Sequence, residues 1–152
     1  MTIEEIIGLV SGLDGVLTLT PGPGDEWPEL SWGDAFFYYS PDGVVPTNVQ
    51  PFATIVTKNY PGDETSRLDR PDTFRVNIHA GKKELARRLG QTPDDPAATD
   101  TLIAHPVYGT AGWLAVVNPA ANTGTATREL LETAYRLARA RYERRADSSR
   151  DR

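Results

Sequence analysis

The chain of 152 residues contains no cysteine, one methionine and only two histidines. Without cysteine there can be no disulfide, thiolate nucleophile, iron–sulfur cluster or cysteine-ligated zinc. The two histidines, His79 and His105, lie far apart, and no H-x-H, H-x-x-x-H or H-E-x-x-H spacing announces a metal site. Neither a metal nor a cofactor is therefore expected. No apolar run approaches the roughly 18 residues that a membrane span requires. The opening "MTIEEIIGLV" lacks the basic region of a signal peptide. The expected location is the cytoplasm, with no membrane contact. There is also no G-x-S-x-G elbow, and "GPGDEW" has no Lys-Ser/Thr after it to make a phosphate loop.

What is present is ordinary for a globular domain: 39% hydrophobic and 24% charged residues. The charge is divided unevenly. Residues 1–127 hold 8 Lys+Arg against 16 Asp+Glu, a net of −8, whereas residues 128–152 hold 8 against 5, a net of +3. An acidic body repels phosphate backbones, so nucleic acid is not an expected partner of that surface. The basic end reads as a solvated helix terminus, where cations also suit the dipole.

Thr2 and Glu5 have capping-box spacing, and Ile3, Ile6, Ile7 and Val10 share one face of a helix over residues 2–12. Strands are expected at 16–20, 34–39, 52–57, 74–79 and 112–118, with a short helix at 82–89. A final helix should run from about 126 to 145, with Thr125 or Thr127 as N-cap and a frayed polar tail at 147–152. The element order favours a single α+β domain over residues 1–146. It would be a two-layer sandwich, a mainly antiparallel sheet of about five strands backed by the N- and C-terminal helices. In "FRVNIH", Phe74, Val76 and Ile78 point to one face, and Arg75, Asn77 and His79 to the other. That second face is either solvated or part of a groove.

Two segments carry candidate chemistry. In "LIAHPVYGTAGWLAVVNP", Pro106 holds His105 extended. A fixed histidine suits general acid–base work, with Tyr108 as a supporting donor, or it simply pins the turn before the last strand. His79 and His105 could meet in space with Asp34 or Asp63, though nothing in the spacing demands it. The segment "TKNYPGDETSRLDRPDTFRVN", residues 57–77, is long, charged and irregular, as functional loops often are. It could clamp an anionic small molecule or be tied down by its own ion pairs. The candidate ligand contacts are Lys58, Tyr60, Arg75, Asn77 and Asp34.

The motifs "WGDAFFYY", "PFATIVTKNYPG", "SRLDRPDTFRVNI" and "HPVYGTAGWLAVVNP" resemble a family of small, mostly actinobacterial proteins classed as a domain of unknown function. That resemblance spans nearly the whole chain and implies no catalytic residues. A weaker one, limited to the C-terminal third, is to the YjbR/MmcQ-like proteins. It rests on Tyr108, Trp113 and the helix sequence "ELLETAYRLA". It implies a helix-backed antiparallel sheet and, for those proteins, wing-type DNA binding.

Three functions are thereby in view. The first is a non-enzymatic binding or accessory module for a small polar ligand or a protein partner. The second is a small enzyme using His105 as general acid or base, with Lys58 or Arg75 as anion anchor. The third is a wing-type DNA binder. A homodimer is the candidate assembly, because a two-layer fold leaves one sheet face to cover.

Overall fold

A computed structural model describes residues 1–90 and 94–150. Helix α1 spans Ile3–Ser11. The Thr2 hydroxyl caps it by accepting from the Glu5 amide at 3.1 Å. Six strands follow: β1 (Val16–Leu19), β2 (Ala35–Tyr39), β3 (Ala53–Val56), β4 (Arg75–His79), β5 (Leu102–Ala104) and β6 (Trp113–Val117). They form one antiparallel sheet in the order β1-β2-β3-β4-β6-β5. Helix α2 (Lys82–Arg88) lies between β4 and β5, and α3 (Gly124–Arg150) closes the fold. The α+β class and the antiparallel sheet are as read from the sequence. The sheet has six strands, not about five, because β5 is only three residues long and shows no periodicity.

The main core lies between the sheet and helices α1 and α3. Ile6 and Val10 of α1, Leu130, Leu131 and Ala134 of α3, and Phe37, Ile55, Val76 and Ile78 of the strands are buried together. The aromatic residues are divided by function. Tyr39 meets the edges of Tyr135 and Tyr142 at 5.8 and 5.2 Å in the core. Phe36 and Trp113 lie instead on the opposite sheet face, along with Arg75 and Asn77.

Helix α3 differs from its expected bounds at both ends. It begins at Gly124, ahead of Thr125 and Thr127. Its entry is held from a distant loop by Asp100, whose carboxylate accepts from the amides of Ala120, Asn122 and Thr123 and from the Thr123 hydroxyl. Those bonds, the Thr123 hydroxyl first, hold the Asp100 carboxyl down at about 2. The helix then continues to Arg150, so residues 147–150 extend it, while 151 and 152 fall outside the described residues.

The strip of sheet away from the helices is covered as well. On it, Arg75 is 1% exposed and Asn77 is 3% exposed, while Ala115 and Val117 are fully buried. Over Arg75 and Val117 the cover is the 57–73 segment. Leu68 packs on Val56 and Val117 in a small second core. Gly112 makes the neighbouring turn: its φ is +91°, and a Cβ there would sit 2.8 Å from the Lys82 amide nitrogen, so only glycine fits.

Candidate functional site

Two buried carboxylates organise the covered face. The first is Asp34, just ahead of β2 and 1% exposed. Its Oδ1 accepts from the Thr57 amide at 2.9 Å, the Thr57 hydroxyl at 2.7 Å and Lys58 Nζ at 3.0 Å. Its Oδ2 accepts from the Tyr60 hydroxyl. Lys58 Nζ also donates to the Trp32 carbonyl at 2.8 Å. Burial first, then the Asp34 hydrogen bond and charge, push the Tyr60 phenol far above its ordinary range. Asp34 thus acts as a staple that fixes where the 57–60 strand exit goes.

The chain then turns. Tyr60-Pro61-Gly62-Asp63 is a β-turn, closed by the Asp63 amide donating to the Tyr60 carbonyl at 2.9 Å, with Gly62 at φ +79°. Proline second and a left-handed glycine third are what a type II turn requires. The turn delivers the second carboxylate, Asp63, onto Arg75.

Arg75 is the centre of the site. Nε donates to Asn77 Oδ1 at 2.7 Å. Nη1 donates to Asp63 Oδ1 and to Ser66 Oγ, each at 3.0 Å. Nη2 donates to Asp63 Oδ2 at 2.5 Å and faces His105 Nε2 at 3.1 Å. This is a bidentate, charge-assisted pair, which makes burial of a guanidinium tolerable. Burial alone would raise the Asp63 carboxyl. The Arg75 hydrogen bonds and charge outweigh it and hold the group below the usual carboxylate range.

His105 is 5% exposed. Its Nδ1 accepts from the backbone amides of Val107 and Tyr108, both at 3.1 Å. A nitrogen that accepts from two amides carries no hydrogen, so the single N–H of the neutral ring falls on Nε2. Burial, and then the Arg75 cation, lower its pKa to about 4, with Asp63 opposing. His105 is therefore neutral at physiological pH, and its Nδ1 is committed to the turn.

These groups line one side of a cleft of about 420 Å³. Its floor is Phe36, Thr54, Val56, Arg75, Asn77 and Trp113, from four neighbouring strands. One wall is Tyr60–Asp63, another is His105, Val107 and Tyr108, and Gln50 and Pro51 form part of the rim. Of the residues singled out in the sequence, Tyr60, Arg75, Asn77, His105 and Tyr108 converge on this cleft. Lys58 and Asp34 do not line it; they stand behind Tyr60 as its support. His79 is separate as well. It stacks on Trp113 at 4.9 Å and its Nε2 meets the Ala111 carbonyl at 3.1 Å. No group of three metal-ligating side chains occurs among the described residues.

The anion-clamp reading of residues 57–77 meets a physical obstacle. Four of the five Arg75 N–H groups are bonded inside the protein and its charge is matched by Asp63. Lys58 is likewise matched by Asp34. One of these ion pairs, Asp63–Arg75, lies within the segment, and the other, Lys58–Asp34, ties it to the start of β2. Ser66, Thr54 and Trp113 belong to the site but are not candidate ligand contacts on the sequence alone. Ser66 had no visible signal. Thr54 and Trp113 could have been found by carrying the alternation of Arg75 and Asn77 across to the neighbouring strands, which pair Thr54 with Asn77 and Trp113 with His79.

Neither a curated protein nor a solved structure matches the chain. A family model described as "Family of unknown function (DUF6194)" matches residues 1–147. With nearly all of its length covered by that model, the chain belongs to the DUF6194 family of unknown function.

Proposed function

We propose that this protein is a non-enzymatic module that binds a small polar ligand in the cleft over β2, β3, β4 and β6. One observation carries the reading. The cleft is a preformed concavity of about 420 Å³, within the roughly 300–1,000 Å³ usual for small-molecule sites, and its charged groups are matched to one another. Catalysis by proton transfer needs a group free to take and return a proton near the working pH. His105 has one nitrogen held by two backbone amides and a pKa held near 4. It positions the 105–108 wall in this reading, and Tyr108, 55% exposed, forms the mouth.

The test is a screen of uncharged, cationic and anionic fragments followed in ¹H–¹⁵N spectra. Hits should move the amide signals of Thr54, Tyr60, Gly62, Asp63, Tyr108 and Trp113 together. Hits that cluster elsewhere, or no hit at millimolar concentrations, would overturn the proposal.

A further inference from the structure

The hydrogen-bonding groups of the cleft are unbalanced. Val107 N–H, Tyr108 N–H and Arg75 Nη2–H all converge on the imidazole of His105. A neutral ring offers one acceptor nitrogen, and Nδ1 fills that role. The Arg75 Nη2–H and the His105 Nε2–H therefore face each other at 3.1 Å with one donor too many, and the nearest carboxylate oxygen, Asp63 Oδ2, is 3.8 Å from Nε2. Beside them, Asn77 is oriented by Arg75: its Oδ1 accepts from Nε, so its Nδ2 points the other way and donates one N–H to Thr54 Oγ1 at 3.0 Å. The second Asn77 N–H and the Thr54 hydroxyl hydrogen have no partner among the described residues. Asn77 is 3% exposed and lines the cleft. The floor thus offers a surplus of donors. A ligand that displaces water from these donors must replace the acceptors that water provides, so what fills the cleft should supply acceptors.

The charge decides which acceptors. Asp63 cancels Arg75, Asp34 cancels Lys58, and His105 is neutral. An anion entering the cleft would leave water without meeting an uncancelled cation, which is unfavourable. The walls, Tyr60, Pro61, Val107 and Tyr108, and the floor residues Phe36 and Trp113 give apolar and aromatic contact. We propose that the cleft takes an uncharged, planar molecule bearing carbonyl-type acceptors, of the amide, lactam or imide class. Its carbonyl oxygen would accept from Thr54 Oγ1 and Asn77 Nδ2, with Arg75 and His105 supplying a second donor point.

This inference rests on the small-molecule reading and is tested apart from it with matched probes. Nicotinamide, benzamide and uracil are titrated against nicotinate, benzoate and orotate, with cleft amide shifts and calorimetry as readouts. The uncharged members should bind about tenfold or more tightly than their carboxylates. Thr54→Val should weaken the uncharged probes by about five- to tenfold, as loss of one hydrogen bond does, and Thr54→Ser should restore them. Equal or tighter binding of the carboxylates, or no effect of Thr54→Val, overturns the proposal. If none of the six probes moves the cleft while other fragments do, this inference fails and the small-molecule reading stands. If no fragment of any class does, both fail.

Discussion

His105 is surrounded by donors, and this has a measurable consequence. The native ring binds a proton only near pH 4, whereas an unfolded histidine binds one near 6.5. Between those values the unfolded state holds more protons, so stability rises with pH across the window. The contribution is complete above about pH 6.5 and is lost as pH falls to about 4. At about 1.4 kcal/mol for each tenfold difference in proton affinity, it reaches up to about 3 kcal/mol. His79 adds a fall of the same sign, because burial lowers its pKa too. Asp63 acts only lower, below the ordinary carboxylate range. His105→Asn separates titration from structure, since the asparagine Oδ1 can take the place of Nδ1 and still accept the Val107 and Tyr108 amides. Urea unfolding at pH 7.5 and 5 should show wild type losing clearly more stability than His105→Asn. Equal losses would mean that His105 does not carry the pH dependence.

Among the elements, the 57–73 segment depends most on one distant residue. Its exit from β3 is fixed by Asp34, which accepts four hydrogen bonds from Thr57, Lys58 and Tyr60. Asp34→Ala should release Lys58 and Tyr60, leave their polar groups without partners, and cost about 2–4 kcal/mol. Amide exchange in residues 60–68 should accelerate well beyond that of β4 and β6, because the loop opens before the sheet does. Exchange that rises uniformly would show that Asp34 supports the whole fold rather than this cover. The regular elements were legible in the sequence because their signals are local: the Thr2 cap, the alternation of Phe74 to His79, the apolar run of β6. The pairings of Asp34 with Tyr60 and Asp63 with Arg75 were not, since nothing within the loop says which face it will cover. "YPGD" does state a type II turn, and that signal was available. β5 escaped notice because three residues cannot display a period. The Asp100 cap of α3 was hidden by the 20 or more residues between partners.

At the scale of the whole molecule, the case for a homodimer changes with the cover on the second sheet face. The expectation of a partner rests on two layers leaving one face bare. Here helices α1 and α3 occupy one face, and the 57–73 segment packs over Arg75 and Val117 on part of the other. The exposed large apolar residues, Trp27, Leu30, Val44, Val45, Val107, Tyr108 and Leu137, come from four separate stretches of chain rather than from one strand face. A stable interface buries roughly 800 Å² on each partner around a packed apolar centre. A central bare sheet face would supply that centre, and the 57–73 cover together with the cleft beside it leaves no continuous flat apolar face there among the described residues. Light scattering at tens of micromolar should therefore return a monomer of 16.7 kDa. A species of twice that mass that survives dilution would contradict this, and Val107 and Tyr108 at the cleft mouth would be the first positions to probe for the second copy. Fragment binding would then have to be measured against the dimer, because a partner seated there would close the cleft from outside.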